Sequence, residues 1–202
     1  FPVGQSLVIG LGGAYQYRGA FKPLDGGTSY DPGDEMLLTG GIDAAIDDAW
    51  SLSGDVSFAL YQADTADDEE RYRSGNKIVG TLQLLRRSDF NQFRLLGRYR
   101  SRAKGELPIA GDLVTEEDRT VPNQALILAS YRLRGSQSTY LAFLAQGRLF
   151  SETVAYPSMT LFDVGVVPEY ALSDDWWLVS RFVYTVGDFS GFEGGIGLAA
   201  EF

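Results

Sequence analysis

Cysteine and histidine are both missing from this chain of 202 residues. Without cysteine there is no disulfide framework and no thiolate metal site. Without histidine the commonest general base and metal ligand are gone. No apolar run approaches the roughly 18 residues that a membrane helix needs, although 45% of the residues are hydrophobic. Positive charge is also short: 17 Lys and Arg stand against 27 Asp and Glu, a net charge of −10. A nucleic-acid partner, which requires clustered Lys and Arg on the outside, is therefore not expected. No signal-peptide pattern is visible, and Phe1-Pro2-Val3 reads as a mature terminus left after cleavage.

What the chain does have is alternation. Leu7, Ile9, Leu11, Gly13, Tyr15 and Tyr17 share one set of alternate positions, and Val8, Gly10, Gly12, Ala14, Gln16 and Arg18 the other. Successive side chains of a strand point to opposite faces, so this period of two predicts a β-strand. The same pattern returns nine times. Its apolar sets run through Met36–Ile46, Trp50–Leu60, Ile78–Leu84, Phe93–Tyr99, Ala125–Leu133, Leu141–Leu149, Phe162–Leu172, Trp176–Tyr184 and Phe192–Phe202. Between them, tight turns at Asp47-Asp48-Ala49, Arg87-Ser88-Asp89, Arg134–Gln137 and Ser173-Asp174-Asp175 alternate with longer connections. The connections over 20–34, 62–76 and 103–123 read as loops, rich in Gly, Pro and charge.

Ten strands joined alternately by short turns and long loops put every loop at one end. Aromatic residues of the apolar set gather at both strand ends. Trp50, Phe93, Tyr131, Tyr170, Trp176 and Phe202 lie beside turns or the C-terminus, and Tyr15, Tyr17, Tyr99, Tyr184 and Phe192 lie beside loops. Between them the apolar set is mostly Leu, Ile, Val, Ala and Gly. Two aromatic girdles around an aliphatic band suit the two interfaces of a bilayer. With no membrane helix available, a closed barrel is the other structure that satisfies its backbone in lipid. A soluble barrel or sandwich would instead turn the apolar set inward.

The stretch Phe192 to Phe202, alternating to a terminal aromatic residue, resembles the C-terminal strand of bacterial outer-membrane β-barrels. The resemblance implies that Phe202 is the signal read by the barrel-assembly machinery. The expected fold is all-β: one up-and-down antiparallel transmembrane β-barrel of about ten strands spanning 1–202. Its N and C termini and turns would be periplasmic and its loops extracellular. Outer-membrane lipid and lipopolysaccharide would be its surroundings.

If the apolar set faces lipid, the charged set faces a lumen. The acids Asp43, Asp55, Asp163, Glu169 and Glu193 would line it with Arg94, Arg98, Arg100, Arg102, Arg132, Arg148 and Arg181. Arg18, Asp47 and Glu201 share that face. Four arginines fall on one strand, flanked by Val79, Thr81, Gln83 and Leu85 on one side and by Gln124, Leu126, Leu128 and Ser130 on the other. No carboxylate is expected beside them. Burying such charges without pairs or water is prohibitive. Two outcomes stay open: arginines reach across to acids as a polar plug, or water fills a narrow charged pore.

No catalytic site, metal or cofactor is expected. Outer-membrane proteases, phospholipases and lipid A acyltransferases and deacylases use histidine. Gly10-Leu11-Gly12-Gly13 lacks the strand-turn-helix setting of a phosphate loop. The run Asp67-Asp68-Glu69-Glu70 lacks the ligand spacing of a calcium loop and reads as solvated charge. The leading expectation is a porin-like channel for small solutes or ions. The alternative is a non-conducting barrel that anchors, adheres or serves as a subunit of a larger envelope or secretion complex.

Overall fold

The computed structural model describes residues 6–22, 27–173 and 175–200. Phe202, Glu201, Asp174 and Phe1-Pro2-Val3 lie outside the described residues. No helix occurs among those described.

The ten alternating stretches form one antiparallel sheet. Its strands are β1 (Leu7–Gln16), β3 (Glu35–Ala45), β4 (Trp50–Tyr61), β7 (Lys77–Arg87), β8 (Asn91–Arg102), β11 (Gln124–Arg134), β12 (Thr139–Phe150), β13 (Met159–Ala171), β14 (Trp176–Gly187) and β15 (Gly191–Ala200), each paired with the next in that order. The turns are hydrogen-bonded. Asp47 Oδ1 accepts from the amides of Ala49 and Trp50, each at 2.8 Å, which fixes the β3–β4 corner as an Asx turn does.

Alternation does not say which face is covered; burial does. Leu85, Leu161, Val183 and Asp163 are all buried, and all belong to the charge-bearing set. The apolar set stays open: Leu11 is 79% exposed and Ile196 74%. Among the described residues no other strand packs broadly on this sheet. The asymmetry is not uniform, since Asp43, Asp55, Arg98, Arg181 and Glu193 of the polar set are exposed as well. The usual arrangement of a one-sided antiparallel sheet is inverted.

The expected closure is not present. Among the described residues no ladder joins β1 to β15, and these two strands form the edges of the sheet. They are also its most exposed strands. Closure requires the edges to meet at a set tilt and stagger, and period-two alternation carries no information about either.

Three connections expected as loops contain strands. The 20–34 connection holds β2 (Tyr30–Asp31), the 62–76 connection β5 (Ala63–Ala66) and β6 (Glu69–Arg73), and the 103–123 connection β9 (Glu106–Ile109) and β10 (Asp112–Thr115). They form a second sheet, in the order β10-β9-β6-β5-β2, at the loop end of the first. Asp67 and Asp68, both at positive φ, make the β5–β6 hairpin turn, and Ala110 and Gly111 the β9–β10 turn, as tight two-residue hairpins require. Gly75 sits where two of these connections touch. A Cβ there would lie 1.9 Å from the carbonyl oxygen of Ala103, so only glycine permits the approach.

Candidate functional site

All twelve residues expected to line a lumen lie on the polar face. One row across the sheet reads Asp55–Thr81–Arg98–Leu126–Arg148–Leu161 in direct register. Direct partners share a face, and every second residue along each strand shares it too. Asp43, Arg94, Arg100, Arg102, Arg132, Asp163, Glu169, Arg181 and Glu193 follow from the same register.

The face brings some of these together. Asp163, 4% exposed, accepts from Arg148 Nη2 at 2.9 Å, Gln146 Nε2 at 3.0 Å and Thr185 Oγ1 at 2.7 Å. Three strands, β12, β13 and β14, are thereby tied to one carboxylate. Nearer the turns, Arg132 pairs with Glu169 across the intervening strand β12. Its guanidinium also lies 4.0 Å from the ring centroid of Tyr140 and 5.9 Å from that of Trp177, a cation–π arrangement. A cavity of about 550 Å³ opens there between Arg132, Tyr140, Glu169, Trp177 and Val179.

Other expected residues remain apart. Arg94, Arg98, Arg100 and Arg102 of β8 make no ion pair among the described residues. Their register neighbours include Leu85 and Ser130 at Arg94, Thr81 and Leu126 at Arg98, and Val79 and Gln124 at Arg100. Lys77 stands opposite Arg102. The Arg102 guanidinium lies 5.5 Å from the centroid of Tyr61. Buried Nε atoms of Arg94, Arg100 and Arg102 have no hydrogen-bond acceptor. Asp43, Asp55, Arg181 and Glu193 likewise form no ion pair among the described residues. The arginine–acid pairs among these residues on this face are Arg148–Asp163 between adjacent strands and Arg132–Glu169 between strands one apart.

At the loop end, Asp34 accepts from the Tyr15 hydroxyl and from the Arg18 amide at 2.9 Å. The Tyr15 hydrogen bond, followed by that from the Arg18 amide, holds the Asp34 carboxyl below its usual range. Arg18 pairs with Glu35 at 2.6 Å. In the second sheet the Tyr30 hydroxyl donates to Asp64 at 2.5 Å, and that hydrogen bond, with burial, raises the Tyr30 phenol. The acidic run is spent locally: Glu69 pairs with Arg71 and Glu70 with Arg73, while Arg73 also meets Glu106 at 2.9 Å.

Sequence reasoning overlooked Trp177 and Thr185. Alternation alone could have found both, since Trp177 follows the apolar-set Trp176 and Thr185 follows Tyr184. The chain matches no known protein family, and no curated protein shows significant similarity to it.

Proposed function

We propose that the chain is the wall of an outer-membrane β-barrel whose polar face lines a narrow passage for small solutes or ions. The observation that carries this reading is the inverted burial: the buried strand residues Ala59, Leu85, Leu161, Asp163 and Val183 all belong to the polar face, while large apolar residues of the other face, such as Leu11, Ile127 and Ile196, are exposed. Soluble monomers rarely leave contiguous apolar patches beyond a few hundred Å² exposed, whereas lipid accepts such a face. The strands, 10 to 13 residues long, reach or exceed the roughly 9 to 11 that cross the hydrocarbon when tilted. Aromatic residues at both ends of the open face add support. Lipopolysaccharide would meet the loop end, and the barrel-assembly machinery would read the C-terminal strand.

Unpaired backbone at β1 and β15 is not tolerated in hydrocarbon. After ten alternating strands these two edges run in opposite senses, so they can pair with one another and complete the wall. Water on the polar face then hydrates the unpaired arginines of β8, which a dry core would not accept.

A second reading, a non-conducting anchor or complex subunit, is favoured by the second sheet. It is ordered by its own hydrogen bonds and ion pairs, and Leu107, Ile109 and Val114 are exposed on its outermost hairpin. Planar-bilayer recording of the folded protein separates the two. Discrete conductance steps support the passage, while a folded, inserted and silent protein sinks it and moves the search to the second sheet.

A further inference from the structure

The arginines of β8 point to a substrate class. This inference rests on the passage reading and narrows it. We propose that Arg98, Arg100 and Arg102, with Lys77 beside them, form a binding track for small oxyanions, and that the passage therefore favours anions bearing phosphate or carboxylate groups.

Four observations carry it. The three arginines occupy alternate positions of one strand, so their Cα atoms are about 7 Å apart on the same face. Lys77 lies directly opposite Arg102, adding a fourth cation. None of the four meets a carboxylate within ion-pair distance among the described residues. Buried Nε donors at Arg100 and Arg102 lack acceptors, as do those of Arg132 and Arg148, but only the latter two reach a carboxylate through Nη2; the guanidinium fork matches the two oxygens of a phosphate or carboxylate.

The surrounding charges sharpen the assignment. Of the nearby acids, Glu35 is taken by Arg18, and Asp55 lies two strands from Arg98 in its row, beyond Thr81. Arg119 extends the cationic stretch toward the loops, its guanidinium donating to the Arg102 carbonyl at 2.5 Å and to Asn123 Oδ1 at 3.3 Å. Elsewhere on this face Arg132 and Arg148 have carboxylate partners. Like charges held this close without counter-ions repel one another, and an oxyanion relieves the repulsion while filling the empty donors.

The test is titration of inorganic phosphate into the full chain, folded in a non-ionic detergent, followed by calorimetry. Wild type should bind phosphate with an affinity that falls as chloride rises. Arg98→Gln/Arg100→Gln should weaken binding at least tenfold, Arg98→Lys should keep part of it, and Arg71→Gln in the second sheet should change nothing. Each variant is checked for heat-modifiable gel migration, so loss of fold is recognised. No phosphate binding by wild type, or equal binding by the double variant, overturns the proposal. So does binding of an anionic lipid headgroup at these arginines when free phosphate does not bind.

Reversal potentials in a potassium chloride gradient separate this proposal from the passage reading. A folded protein that binds phosphate through these arginines but stays silent keeps the site and loses the passage. A conducting protein that prefers potassium and ignores phosphate keeps the passage and loses the site.

Discussion

Replacing Arg148 with Gln tests whether charges on the polar face divide into structural braces and free donors. Asp163 is 4% exposed and takes one charged and two neutral hydrogen bonds. Arg148→Gln leaves that carboxylate covered with only the neutral donors of Gln146 and Thr185. Removing one partner of a buried pair costs roughly 3 to 5 kcal/mol. The Arg148 side chain is 31% exposed, so solvent screens part of the loss, and about 2 to 3 kcal/mol is expected. Arg98→Gln strands no carboxylate and relieves repulsion from Arg100. At about 7 Å that repulsion amounts to about 0.6 kcal/mol at the dielectric constant of water, so a change within roughly 0.5 kcal/mol of zero, or a slight gain, is expected. Arg148→Gln/Asp163→Asn should recover most of the loss, because the buried charge goes with its partner. The assay is reversible urea unfolding of protein folded into lipid vesicles, followed by tryptophan fluorescence. If Arg148→Gln and Arg98→Gln cost the same, the division is refuted.

Three further outcomes are expected. A cysteine introduced into this cysteine-free chain at Gly10, paired in turn with one at Gly195, Gly197 and the other same-face positions of β15, should oxidise within one molecule at one register if β1 pairs with β15; an added Cβ meets no atom within 4 Å at Gly10, Gly195 or Gly197. Only intermolecular disulfides, or none, would argue that the edges do not meet. Gly75→Ala should cost about 2 kcal/mol through overpacking against Ala103, whereas Gly97→Ala, with nothing within 4 Å, should cost under about 0.5 kcal/mol; equal effects in the same urea assay would remove the close-approach argument. The Asp34 contacts should be pH-dependent. Its carboxyl lies below the ordinary 3.8 when folded, so the stabilisation is fully present above pH 3.8 and is lost as pH falls through the lower folded value. Hydrogen exchange at the Arg18 amide should therefore quicken below that pH, and protection persisting unchanged under strong acid would contradict it.

The ten long strands and the membership of their two faces are legible in the residues alone. Period-two alternation is a local property of each strand, written in residues such as Arg94, Arg98, Arg100 and Arg102 against Phe93, Leu95, Gly97 and Tyr99. Neighbours followed as well. Hairpin order put Val79, Thr81, Gln83 and Leu85 on one side of the β8 arginines and Gln124, Leu126, Leu128 and Ser130 on the other, and the pairing agrees. The second sheet was not legible. Its strands are two to five residues long, too short for alternation to stand out, and in the 62–76 connection charge masks them. The Asp67-Asp68 run reads as solvated charge until positive φ makes it a turn.

Which residues are buried, which charges pair and whether the edges meet depend on contacts between strands. Two alternating sets look the same in the sequence whichever of them is covered, so which set holds the buried residues is seen only from Leu161, Val183 and Asp163. Pairing depends on side-chain reach across neighbouring strands. That is why Arg148 finds Asp163 one strand away while Arg98, on the same row, finds no acid. Closure depends on coil and stagger summed over all ten strands, a quantity no single strand encodes.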